Sequence, residues 1–122
     1  MKLQLQTQTL RFRIDEAELA ELLAGKPVGN TTMLPNGDVF ESTVNLTAAD
    51  AAEIGTFPGL WQLRLPRAAV LAYVERLPCR DRLRFSLPVE GGGSLEVGFE
   101  VDVRDSVRAR GVGRSRRPID AT

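Results

Sequence analysis

The sequence predicts an α+β fold: two pseudo-symmetric βαββ halves forming one six-stranded, mostly antiparallel curved sheet or small barrel with two helices. Three observations point there. An alternating strand running into an amphipathic helix occurs twice, with Phe12 and Leu63, Ile14 and Leu65, and Leu19 and Val70 each separated by 51 residues. Each copy is followed by two apolar alternations around a turn, Pro35-Asn36-Gly37-Asp38 in one and Glu90-Gly91-Gly92-Gly93-Ser94 in the other. A single such half buries too little apolar surface to stand alone, so the two must share one core.

The elements follow in chain order. A first strand is expected from Leu3 to Ile14. Leu3 and Leu5 lie on one parity and Leu10, Phe12 and Ile14 on the other, which requires a bulge or break in Thr7-Gln8-Thr9. Asp15 is a candidate N-cap with Glu18 at N3, and Leu19, Leu22 and Leu23 form the apolar stripe of the first helix. Gly25 and Pro27 end it. Strands then flank the Asn36-Gly37 turn, with Phe40, Val44 and Leu46 facing the core. Thr47 to Ile54 is expected to form a weak helical turn, and Gly55 to Gly59 a loop.

In the second copy Pro66 opens the helix, where its missing N–H is harmless. Val70, Leu71, Val74 and Leu77 supply its apolar stripe, and Pro78 stops it. Trp61 and Tyr73 are expected in the core. Leu95, Val97, Phe99, Val101 and Val103 make the clearest alternation in the chain. Val44 and Phe99 align with a wider spacing than Phe12 and Leu63 do, which suggests extra residues around the second, Gly-rich turn. The expected organisation is a single α+β domain over 1–103, with halves at about 1–54 and 55–103, and a flexible basic tail over 104–122.

Sixteen basic and sixteen acidic residues cancel over the whole chain, but not locally. The part up to Val103 carries ten basic against fourteen acidic residues, and the remainder six arginines against Asp105 and Asp120. No apolar run approaches the ~20 residues that span a bilayer, and Met1 to Gln6 alternates without the apolar stretch of a secretory signal. The single Cys79 excludes an intrachain disulfide and suits a reducing compartment, so a cytoplasmic location is expected.

The opening Met1-Lys2-Leu3-x-Leu5, the strand Leu10-Arg11-Phe12-Arg13-Ile14, the following Glu18 and the later Leu63-Arg64-Leu65-Pro66 form a pattern over most of residues 1–103. In this pattern the chain resembles a family of short bacterial proteins classed as a domain of unknown function. These begin M-K-[IL]-R-[IL] and carry an [IL]-R-[LY]-R-L strand. The chain departs at Gln4, at Gln8-Thr9 and in the arginines that follow Val103. The resemblance implies a bacterial origin and no particular activity.

Histidine is absent, which removes Ser-His and Cys-His pairs and imidazole general bases. With one cysteine, ordinary structural zinc sites go too, so no catalytic residue, metal or cofactor is expected. Gly91-Gly92-Gly93 precedes a strand and not a helix, so it reads as a turn and not a phosphate loop. Arg11, Arg13, Arg64, Arg82 and Arg84 recur on polar parities. On neighbouring strands they would line one face and could grip phosphate or carboxylate. The plainer reading is a solvated face balanced by Glu41, Glu96, Glu100 and Asp102. Arg108, Arg110, Arg114, Arg116 and Arg117 form an Arg/Gly segment of the type that tracks nucleic acid, though without an aromatic residue to stack on bases.

The leading expectation is a small non-catalytic binding or interaction module, able to form a homodimer through an exposed strand edge. The alternative is a binder, enzyme or sensor that holds an anionic small ligand against the arginine row. Nucleic-acid binding by the tail is a third, weaker reading, and neither nucleic acid nor membrane is the expected partner.

Overall fold

The computed structural model describes residues 1–103. Its elements are β1 (Lys2–Gln6), β2 (Thr9–Asp15), α1 (Glu16–Leu23), β3 (Val28–Met33), β4 (Val39–Thr47), β5 (Glu53–Phe57), β6 (Leu60–Pro66), α2 (Arg67–Glu75), β7 (Leu83–Pro88) and β8 (Ser94–Asp102). The fold is α+β, with two helices and eight strands among the described residues, in two four-stranded mixed sheets ordered β1-β2-β8-β7 and β3-β4-β6-β5. It is therefore neither a six-stranded sheet nor a closed barrel.

Both additional strands come from stretches read differently in the sequence. The expected long first strand is a hairpin: the chain reverses at Thr7-Gln8, and Leu3 pairs with Phe12 and Leu5 with Leu10. The change of parity is thus a reversal and not a bulge. The expected helical turn and loop after Thr47 contain β5, which pairs antiparallel with β6. Only Thr47 acts locally there, its hydroxyl accepting from the Ala49 N–H at 3.2 Å. Ile54 instead packs against the core beside its cross-strand partner Leu63.

Each repeat is therefore hairpin, helix, hairpin, and the registers repeat with it. Lys2 pairs with Arg13 and Glu53 with Arg64, the same offset as between Phe12 and Leu63. Val28 pairs with Val44 and Leu83 with Phe99, at the wider offset already visible between Val44 and Phe99. The second repeat starts at Glu53, so a boundary after residue 54 cuts β5. The extra residues lie between α2 and β7 and not at the Gly-rich turn. The two turns are alike, closed by Leu34 N–H to Asp38 O at 2.8 Å and by Val89 N–H to Gly93 O at 3.0 Å.

The repeats exchange strands. Each sheet takes one hairpin from each repeat, joined at its centre by a parallel pair, β2 with β8 or β4 with β6. Neither repeat can complete a sheet without the other. One apolar cluster collects Phe12, Ile14, Leu19, Leu22 and Val44 from the first repeat and Leu63, Leu65, Val70, Tyr73 and Phe99 from the second. Burying each large side chain stabilises by roughly 1.5–3 kcal/mol. Tyr73 is fully buried; Trp61 is half-buried, edge-on to Phe40 with ring centroids 5.2 Å apart.

The helices start differently. Asp15 and Glu18 form a full capping box: Glu18 N–H donates to Asp15 Oδ1 at 2.7 Å, and Asp15 N–H to Glu18 Oε1 at 3.0 Å. Pro66 holds the equivalent place in α2 with no side-chain cap. Arg67 Nη2 donates to the carbonyl of Leu23 at 3.3 Å, satisfying one orphan acceptor at the end of α1.

Candidate anion-binding face

The inner faces of β2, β8 and β7 carry Leu10, Phe12, Ile14, Val97, Phe99, Val101, Leu83 and Phe85 into the core. Strand alternation then puts Thr9, Arg11, Arg13, Glu96, Gly98, Glu100, Arg84 and Ser86 on the outer face. The registers arrange these in rows across the sheet. Thr9, Glu96 and Ser86 make one row, and Arg11, Gly98 and Arg84 the next. Arg13 and Glu100 follow, with Arg82 just before β7 beside them. Strands are about 4.8 Å apart and rows about 6.6 Å.

Glu100 is the hub. Arg11 Nη2 donates to its Oε1 at 3.0 Å; Arg13 Nε lies 3.6 Å from Oε2 and Arg82 Nε 3.6 Å from Oε1. Three guanidinium groups thus share one carboxylate. The Nε atoms of Arg11 and Arg13 are buried without a hydrogen-bond partner among the described residues. Arg84 has no ion pair or side-chain hydrogen bond among the described residues and is exposed.

Gly98 makes the space. It is buried, and its missing side chain lets the stem of Arg82 lie on the sheet: a Cβ there would sit 2.7 Å from Arg82 Cδ and 3.8 Å from Arg11 Cγ. A groove of about 200 Å³ results, lined by Thr9, Arg11, Arg82, Arg84, Glu96 and Gly98. Four of the five arginines singled out in the sequence come together on this face. Arg64 does not: it lies on the other sheet, paired with its cross-strand neighbour Glu53 at 3.2 Å. Parity tells which face a side chain takes but not which sheet, so the sequence could not separate it. Arg108, Arg110, Arg114, Arg116 and Arg117 lie outside the described residues.

Gly98 lines this groove with Thr9, although the arginine pattern points to neither. For Gly98 a signal was present, since a glycine inside an otherwise regular strand marks close approach by another group. The second sheet holds the corresponding positions with other residues: Gln62 for Arg11, Thr43 for Gly98, Gly29 for Arg84 and Asn45 for Glu100.

Away from this face, Tyr73 is a buried polar anchor. Its hydroxyl donates to Asp81 O at 3.1 Å and accepts from the buried Val101 N–H at 3.3 Å. Burial raises its pKa above the ordinary 10.0, partly offset by the Val101 hydrogen bond. Among the described residues no cluster of three or more His, Cys, Asp or Glu side chains could hold a metal ion, and no helix is long and apolar enough to cross a membrane.

The chain matches no family model, no curated protein and no solved structure. The class that the fold defines is an α+β protein of two strand-exchanging repeats, one of whose sheets carries an arginine-lined outer groove.

Proposed function

We propose that this protein is a non-catalytic binding module that holds an anionic, phosphate- or carboxylate-bearing ligand in the groove between Arg11, Arg82 and Arg84. The supporting observation is the surplus of donors. Each guanidinium offers several N–H groups in a planar fork. Yet three of them share Glu100, and Arg84 shares nothing among the described residues. The side chains at the groove can grip and orient an oxyanion, and none is placed as a nucleophile with a base beside it.

Thermal unfolding of the full chain at low salt, with inorganic phosphate, pyrophosphate or citrate, tests this reading. A ligand at a hundred times its Kd stabilises by about 2.7 kcal/mol, which in a domain of this size raises Tm by several degrees. Arg84→Ala should lose that rise and Arg64→Ala should keep it. No rise with any of the three anions, or an equal rise in Arg84→Ala, rejects the reading.

A second reading, self-association, rests on the outer face of the other sheet. Met33, Val39 and Phe57 share one end of that face with Leu60; Met33 is 75% and Phe57 51% exposed. The corresponding positions on the arginine-bearing sheet are Pro88, Ser94, Gln6 and Thr9. A single exposed apolar residue needs no explanation, but three on one face, with the half-buried Leu60 beside them, make a contact surface for a second copy. Sedimentation velocity across a concentration series tests it: a dimer that the Met33→Ser/Phe57→Ser double variant dissociates supports the reading, and a monomer at all concentrations rejects it.

A further inference from the structure

We infer that the groove takes the phosphate monoester of a small polyol, with the phosphate on the arginine row and a ligand hydroxyl on Glu96. The inference rests on the anion-binding reading above and narrows the ligand. Arg11 approaches from β2, Arg84 from β7, and Arg82 from the neighbouring row. A planar carboxylate has two oxygens and accepts only within and near its own plane, as Glu100 does from its arginines. A tetrahedral phosphate offers three outward oxygens and can accept from three directions at once. Charge agrees: Arg11, Arg82 and Arg84 with the adjacent Arg13 bring four positive charges, and Glu100 and the groove-lining Glu96 offset two. The remainder matches a phosphate monoester, which carries a charge of about −1.5 to −2 at neutral pH.

The neighbouring row sets the rest of the ligand. Thr9, Glu96 and Ser86 stand about 6.6 Å along the strands from Arg11, Gly98 and Arg84, and they bring a carboxylate between two hydroxyls. The Glu96 carboxylate has no ion pair or hydrogen bond among the described residues. It repels a second phosphate and accepts from a neutral hydroxyl. Nucleotides fit poorly: no aromatic residue lines the groove to stack a base, and about 200 Å³ is small for one.

Titration calorimetry on the full chain separates the cases, using inorganic phosphate, glycerol 3-phosphate, glycerate and AMP. Glycerol 3-phosphate should bind about tenfold tighter than phosphate, the effect of one hydrogen bond to a charged acceptor. It should also bind tighter than glycerate or AMP. Glu96→Ala should erase the tenfold gain and leave phosphate binding as tight or tighter. A gain that survives in Glu96→Ala, glycerol 3-phosphate binding no tighter than phosphate, or glycerate or AMP binding as tightly overturns the inference while leaving the anion site standing. If no anion binds at all, the anion-binding reading falls with it. Pelleting with phosphatidic-acid vesicles distinguishes the same phosphate monoester on a lipid; vesicle binding without binding of free glycerol 3-phosphate also overturns the inference.

Discussion

Gly98→Ala should separate binding from stability. The new methyl would stand 2.7 Å from Arg82 Cδ and 3.6 Å from Arg82 Cγ. Carbon atoms pack at about 3.5–4.0 Å, so the Arg82 stem has to lift by about 1 Å. A unit charge 4 Å from a guanidinium interacts by roughly 4.2 kcal/mol at an effective dielectric constant of about 20, and at 5 Å by roughly 3.3 kcal/mol. For a phosphate of nearly two charges the loss is therefore about 1.5 kcal/mol, or about tenfold in Kd. Stability has two opposing contributions. Glycine inside a strand costs about 0.5–1 kcal/mol relative to alanine, and loosening the half-exposed Arg82–Glu100 pair costs no more than about 1 kcal/mol. The two offset each other, so the urea midpoint should barely change while calorimetric affinity for phosphate falls about tenfold. Unchanged affinity would refute the groove. A stability loss above about 2 kcal/mol, well into the range of an overpacked core, would show that Gly98 serves the sheet and not the space above it.

Four further substitutions test the fold that positions the groove. Tyr73→Phe strands the buried Val101 N–H and should cost about 1–3 kcal/mol in urea unfolding. Because the folded protein holds the Tyr73 proton more tightly than the unfolded chain does, that contribution is complete below pH 10.0 and is lost as pH rises through the folded-state value; Tyr73→Phe should lack this alkaline loss. Asp15→Ala removes the α1 cap and should cost about 1 kcal/mol, read from the urea midpoint. Gln8 sits at φ 53° where the second repeat has Gly59 at φ 76°. Gln8→Gly should stabilise by up to about 1 kcal/mol, less whatever its exposed bond to Ser94 O contributes. Gly59→Gln should cost more than that gain, since its Cβ would meet Val39 O at 3.0 Å.

The doubling was legible in the sequence because inner-face residues must keep their spacing to share one core. The spacing between Phe12 and Leu63 returns in the strand registers without slippage. Both helices, both Gly-containing hairpin turns and the β8 alternation were legible for the same reason. The two missed strands have local causes. Thr7-Gln8 is a tight turn without glycine or proline, so only the parity change betrayed it. Its counterpart Pro58-Gly59 does carry turn residues, but the short β5 before it offers only Ile54 to the core. The pairing of strands across repeats was not legible at all, because parity fixes a face and leaves the neighbouring strand open. That is why four arginines converge while Arg64, the counterpart of Arg13, stands apart with Glu53.

The second sheet bears on the plainer reading of the arginines as a solvated surface. Both sheets have the same strand order, the same registers apart from the constant shifts, and inner faces that feed one core. What the fold requires of an outer face is therefore met by either set of residues. Where one sheet has Arg11, Gly98, Arg84 and Glu100, the other forms with Gln62, Thr43, Gly29 and Asn45. Charge is thus not needed to build this surface, and pairs exposed to this degree contribute at most about 1 kcal/mol each. A surface serving solubility alone would spread both signs and leave no donor buried without a partner. Here cations gather around one carboxylate, a strand glycine keeps the floor open, and two buried Nε donors have no hydrogen-bond partner among the described residues. Those three departures fall on the same few residues of one sheet, and an anion seated among Arg11, Arg82 and Arg84 gives the gathered cations and the open floor a common cause.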